Sequence, residues 1–250
     1  MSRQNELPSS AGRSGGRCSS SLAGGGTGRV GAGLAICGIL VVCGGLACAL
    51  FVLMPQLDLA VAGLFYDGAH FVGDSHIGRL ARGVARAAPF LLLIAMLLAW
   101  LAGRMGITAG RHVPRGSSIA WLTLSFLLGP GLVVDGLKDI SHRPRPVQVT
   151  DFGGTRDFRP FYRFDGACPR NCSFPSGETA AAFWTLAPAT LAPPPMRGAA
   201  IGAALIFAAG TAALRLAFGG HFLSDVVFAA LLTLGVAAGL RRLLPRGVPK

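Results

Sequence analysis

The sequence predicts an all-α integral membrane protein, a bundle of six spanning helices, on three observations. Of the 250 residues, 52% are hydrophobic and only 14% charged, where a soluble domain carries nearer a quarter charged. The apolar residues gather in runs of about 20, the length that crosses a bilayer core as a helix. The charged residues cluster between those runs.

The elements follow in order. Residues 1–33 are rich in Ser, Gly and Arg; such a stretch buries too little apolar surface to fold and is expected as a disordered cytoplasmic tail. Residues 34–240 form the spanning domain, and residues 241–250 a basic cytoplasmic tail. Spans are expected at 34–54, 87–102, 117–137, 176–191, 198–218 and 222–240. Cys37, Cys43 and Cys48 fall on the first span as small apolar fillers. Residues 55–86 are mixed and begin with a candidate short interfacial helix. Residues 104–116 make a short basic loop, and a long polar loop runs from Lys138 to Phe174. Pro193, Pro194 and Pro195 close the fourth span.

A net charge of +12 would suggest nucleic acid in a soluble protein. Here most Lys and Arg lie in short loops and tails, where membrane topology and anionic headgroups account for them. There is no zinc-ligand spacing, no Gly-rich nucleotide loop and no basic patch interleaved with aromatics. Nucleic acid is therefore excluded as a partner, no cofactor or metal is implied, and no protein partner is required. Six spans put both termini on one side. Basic totals on the two sides are nearly equal, but long loops count little, and every acid except Glu6 lies off the tail side or within the third span. Both termini are thus expected on the cytoplasmic side of a bacterial inner membrane, with the long loop after Lys138 on the periplasmic face.

The run Arg215 to Asp225, R-L-A-F-G-G-H-F-L-S-D, puts an Arg, a His and an Asp between two apolar runs. Ionisable residues at that depth are expensive and point to function. With a helix from Phe222, His221 and Asp225 stand at i and i+4 on one face. The carboxylate can then take the proton of one ring nitrogen and leave the other as a nucleophile. The plainer alternative is a His capped by an Asp, with Arg215 snorkelling to the interface.

Two further motifs precede this one. Lys138 to Pro146 reads K-x6-R-P, and Phe174-Pro175-Ser176-Gly177-Glu178 opens the fourth span. In this order the three motifs resemble the signature of the type 2 phosphatidic acid phosphatase (PAP2) superfamily, over about residues 132–231. The second motif departs from it, since the family carries a His where this chain has Glu178. The resemblance implies a metal-independent phosphatase acting on a lipid phosphate in the bilayer. His221 would be the nucleophile of a phosphohistidine intermediate and Asp225 its orienting partner. Lys138, Arg145 and Arg215 would bind phosphate, together with Ser176 and Gly177 at a helix N-terminus, where free N–H groups favour an anion. Glu178 would replace the family's proton donor if protonated. The helix start and three cations act against that, while burial and a phosphate dianion favour it. The substrates implied are lipid A, undecaprenyl pyrophosphate, phosphatidylglycerol phosphate and phosphatidic acid. The run Asn171-Cys172-Ser173-Phe174 resembles the lipid A phosphatase branch. A lipid phosphotransferase and a non-catalytic phospholipid-binding protein remain as alternatives.

Cys168 and Cys172, spaced C-x3-C in the outer loop, are candidates for a disulfide in an oxidising compartment, for two free thiols, or for half of a metal site. His142 and Arg143 either touch phosphate or solvate the loop. Asp135 is expected to pair with Lys138, and Trp184 to pack. Phe158, Phe161, Tyr162, Phe164 and Phe174 either line a headgroup entrance or are ordinary interfacial aromatics.

Overall fold

A computed structural model describes residues 24–107 and 114–244; the first part of the expected N-terminal tail, the middle of the basic loop and the last residues of the C-terminal tail lie outside the described residues. Helix α1 (Gly24–Leu53) begins inside the stretch assigned to the tail and extends the first span at its N-terminal end. It turns large side chains such as Val41 and Leu53 outward, as a helix facing lipid does, and buries Phe51 against Phe228 and Phe161. Pro55 follows, and the short helix α2 (Gln56–Gly63) lies where an interfacial helix was expected.

Helix α3 (His76–Arg104) starts eleven residues before the expected second span, capped by Ser75, whose Oγ accepts from Gly78 N at 3.0 Å. That extension adds three turns carrying Arg79, Arg82 and Arg86. The third span is α4 (Gly116–Phe126), a π-helical segment (Leu127–Val133) and α5 (Val134–Ser141). Pro130 sits in the π-helical segment. Its missing N–H breaks the i→i−4 ladder, and the wider turn absorbs the break. Helix α5 ends where His142 takes a left-handed conformation, φ 46°, and the Pro-rich loop departs.

The fourth expected span, 176–191, is not one continuous helix. It forms two short helices, α6 (Gly177–Trp184) and α7 (Leu186–Ala189). The break has a local cause: Thr185 Oγ1 donates back to Ala182 O at 2.7 Å, and Pro188 contributes no donor. Ala180, Ala181 and Ala182 let neighbouring backbones close on α6, which packs against α3, α8 and α9. Trp184 is fully buried as expected and donates Nε1 to Ser125 Oγ at 3.0 Å. It anchors the core with Trp121, Leu122 and Phe126.

Helices α8 (Pro194–Ala217) and α9 (Leu223–Leu243) complete the bundle. Among the described residues, five helical segments are long and apolar enough to cross a membrane: Leu34–Leu53, His76–Arg104, Gly116–Gln148, Pro194–Ala217 and Leu223–Leu243. The long polar loop is pinned rather than loose. Cys168 and Cys172 form a disulfide, Cys168 N donates to His142 O at 3.0 Å, Ser173 N donates to Arg143 O at 2.8 Å, and Ser141 Oγ donates to Phe174 O at 2.9 Å. Phe161 and Phe174 pack on Phe228, so these two aromatics serve the bundle and not a headgroup entrance.

Candidate active site

The three motifs meet at one end of the bundle, around a cavity of about 430 Å³. Helix starts and ends supply its groups: α5 brings Lys138, α6 brings Gly177 and Glu178, α8 brings Arg215, and the α8–α9 turn brings His221. The π-helical segment lines it through Leu127, Pro130 and Gly131.

His221 is buried, and its Nδ1 lies 2.6 Å from the backbone carbonyl of Ser173. A carbonyl oxygen only accepts, so Nδ1 carries the ring proton and Nε2 is bare. The expectation that Asp225 takes this proton is corrected. The nearest carboxylate oxygen is 3.6 Å from Nδ1. Asp225 Oδ2 accepts instead from Phe222 N at 2.7 Å and from Ser173 Oγ at 2.5 Å. Asp225 thus caps α9 and fixes the residue whose carbonyl orients the imidazole. Burial pushes His221 down to about 4, with Arg215 acting the same way and Asp225 pulling back, so the ring is neutral at ordinary pH.

Arg215, in the last turn of α8, is 2% exposed, and its Nε and Nη1 have no hydrogen-bond partner. A buried guanidinium with unused donors is prepared for an anion. Gly220 makes its position possible, since a Cβ there would meet Arg215 Nη2 at 2.3 Å. Lys138 Nζ is 3.5 Å from Asp135, the pair expected, and lies 2.8 Å from where a Cβ on Gly177 would stand. Only glycine lets the ammonium sit against the start of α6. Arg145 lines the cavity while donating Nη2 to Asn171 O at 2.9 Å.

Ser176 and Glu178 also differ from expectation. Ser176 is fully buried as the N-cap of α6, sharing a 2.8 Å hydrogen bond with Thr179 Oγ1, and does not line the cavity. Glu178 does line it, but as half of an ion pair: Arg82 Nη2 donates to Oε1 at 2.7 Å and Nε reaches both oxygens at 3.2 Å. Arg215 Nε stands 3.6 Å from the other side. A carboxylate between two guanidiniums holds its charge, so the proton-donor role expected for Glu178 does not fit this geometry.

Arg143 neither touches phosphate nor solvates the loop. It is fully buried, donates to Asp225 Oδ1 at 2.5 Å and to Asp58 Oδ2 at 2.7 Å, and lies over the Phe222 ring at 4.4 Å. Asp58, from α2, also accepts from Ser224 N at 2.8 Å. Arg82 and Arg86, which also line the cavity, Asp58 and the orienting carbonyl of Ser173 were not singled out from sequence. The 3–4 spacing of Arg79, Arg82 and Arg86 beside an apolar run was the available signal for the first two.

Residues 118–248 match the model of the PAP2 superfamily. The chain belongs to that superfamily. The match takes in all three motifs that surround the cavity. Beyond the PAP2 family match, the chain is similar to the lipid A 4'-phosphatase of Francisella tularensis subsp. novicida (strain U112), 36% identical over 187 residues, 72% of this chain and 83% of that protein. It is also similar to the lipid A 4'-phosphatases of Rhizobium leguminosarum and Rhizobium etli (strain ATCC 51251 / DSM 11541 / JCM 21823 / NBRC 15573 / CFN 42). Both are 32% identical over 209 residues, 77% of this chain and 89% and 80% of the relatives. No solved structure matches. A PAP2 protein with these relatives and these apolar helices is a membrane lipid phosphatase, a phosphoric monoester hydrolase.

Proposed function

We propose that this protein removes the 4'-phosphate of lipid A through a phosphohistidine intermediate, at the outer face of the bacterial inner membrane. The observation that carries the reading is the pairing of a neutral, buried His221 with the unsatisfied guanidinium of Arg215 in one cavity. The relatives' names supply the substrate and the position.

The chemistry follows from the placement. Phosphoryl transfer needs charge neutralisation and an in-line nucleophile. Lys138, Arg145 and Arg215 take the phosphate oxygens, with the N–H groups at the start of α6 beside Gly177. The lone pair on His221 Nε2 attacks phosphorus, the ester P–O bond breaks, and the sugar oxygen leaves as a hydroxyl, taking its proton from solvent water. Positive charge on the ring then runs through Nδ1–H toward Ser173 O, with Asp225 at 3.6 Å as counter-ion. Water attacks the phosphohistidine and frees His221 and inorganic phosphate. The scheme uses fixed cations for its electrostatics and needs no cofactor.

Purified protein in detergent micelles should release phosphate from lipid A, with the 4'-position bare in the product by mass spectrometry. His221→Ala should abolish release, and rapid trapping without acid should capture phosphate on His221. Turnover that survives His221→Ala, or a 4'-phosphate left in place, would overturn the proposal.

A further inference from the structure

An anionic side chain inside a phosphate site is a liability, because it competes with the substrate for cations. Glu178 is such a side chain, and the structure holds it in a particular way. The fork of Arg82 meets both carboxylate oxygens, whereas Arg215 approaches no closer than 3.6 Å and keeps Nε and Nη1 unpaired.

We propose that Arg82 is a positioning residue of this site, acting through Glu178: it neutralises the carboxylate and keeps it off Arg215, so that Arg215 stays available to phosphate. The inference rests on the phosphatase reading above and deepens it. A carboxylate presents an arginine with the same two-oxygen edge as a phosphate. Without Arg82, the nearest fork for Glu178 is Arg215, and the phosphate site would fill with the protein's own carboxylate. Arg82 is built into place for this task. It lies two turns into α3, whose start Ser75 fixes, and its guanidinium rests 5.5 Å from the ring centroid of Phe218, three residues beyond Arg215. The pair joins residues 96 apart in the chain, and Glu178 keeps only 16% of its side chain exposed. Arg82 lies outside all three motifs, and Glu178 stands at the one position where the motifs depart from the family pattern. The unusual acid and the extra cation are two halves of one device.

Two other roles for Arg82 give different results in one experiment: a direct phosphate ligand, or a strap between α3 and α6. Wild type, Arg82→Gln, Glu178→Gln and the double variant are purified in detergent. Inorganic phosphate is titrated by calorimetry, and lipid A hydrolysis and unfolding temperature are measured alongside. Arg82→Gln should weaken phosphate binding by about tenfold or more, because it leaves a partly buried carboxylate uncompensated. KM for lipid A should rise more than kcat falls. Adding Glu178→Gln should bring phosphate affinity back to within about threefold of wild type, a strong coupling in the double-mutant cycle. Arg82→Lys, which keeps charge but loses the fork, should fall between wild type and Arg82→Gln, and it substitutes for Arg82→Gln if that variant does not fold.

A double variant as weak as Arg82→Gln would make Arg82 a direct ligand and overturn the proposal. So would lowered unfolding temperatures with unchanged phosphate affinity, the behaviour of a strap. Protein that hydrolyses lipid A but binds phosphate equally in all variants sinks this inference alone. Protein that shows the predicted binding pattern but releases no phosphate from lipid A sinks the functional reading and leaves the role of Arg82 standing.

Discussion

Arg143 and Asp225, 82 residues apart in sequence, form an ion pair at 2.5 Å with neither side chain more than 1% exposed. Asp58 closes the other side of the same guanidinium at 2.7 Å, so one cation lies between two carboxylates beneath the candidate nucleophile. Each partner is satisfied by further hydrogen bonds, the condition on which a buried ionic group is tolerated.

Arg143→Met should therefore be severe. It leaves Asp58 and Asp225 buried without their cation, and removing one partner of a buried pair costs about 3–5 kcal/mol. Arg143→Lys should also fail, since a point charge cannot replace a fork that reaches two carboxylates at once. Denaturant unfolding in detergent measures the loss. A change no larger than that of an ordinary surface substitution, about 0.5 kcal/mol, would contradict the placement of Arg143.

The pH–rate profile tests the burial of His221. Its folded value lies near 4, below an ordinary imidazole at about 6.5, chiefly through desolvation. Attack requires the neutral ring, which dominates above the folded value and is lost as pH falls through it. The acid limb of kcat/KM should therefore lie near pH 4. A limb near about 6.5 would show a solvated imidazole.

Glu178→Gln separates a clamp from a proton donor. Loss of a general acid lowers kcat by about 10²–10⁴ and removes the alkaline limb. With Glu178 ionised between Arg82 and Arg215, the substitution should cost less than about tenfold in kcat and leave the alkaline limb in place. A large loss together with a vanished limb would restore Glu178 as the acid.

Topology and redox state can be read together. Reporter fusions after Lys250 should report cytoplasm, and fusions within residues 151–165 should report periplasm. In membranes prepared without reductant, Cys168 and Cys172 should resist alkylation and should react once reduced. Full alkylation without reductant, or a reversed reporter pattern, would move the site to the reducing side.

The legible part of this protein was whatever short-range pattern encodes. Lys138, Arg145, Arg215 and His221 were found by spacing, and they meet at one cavity. Long apolar runs gave away α1, α8 and α9, whose periodicity needs no partner to be recognised. The failures share a cause. Residues 176–191 read as one continuous helix because Ala, Phe and Trp score as apolar, but a back-bonding Thr185 and Pro188 break the helix there. Asp58 and Arg143 are 85 residues apart, and Arg82 and Glu178 are 96 apart. No local pattern announces such pairs. Arg82 also fell in the mixed stretch 55–86, because charge at the start of α3 masked the helix. Ser176 was given to phosphate because helix N-termini bind anions; it caps its own helix instead.

The cavity is lined by two unlike kinds of group. Arginines and Lys138 are one, and Phe90, Phe126, Leu127 and Pro130 are the other, with Phe90 and Leu127 about half exposed. A lipid can slide in sideways, keeping its acyl chains among other acyl chains while only its phosphate crosses into the protein. The encounter is then two-dimensional. Velocity should follow the mole fraction of substrate within the membrane plane and be blind to its bulk concentration, so diluting the bilayer with inert lipid would slow the enzyme, while diluting the suspension would not.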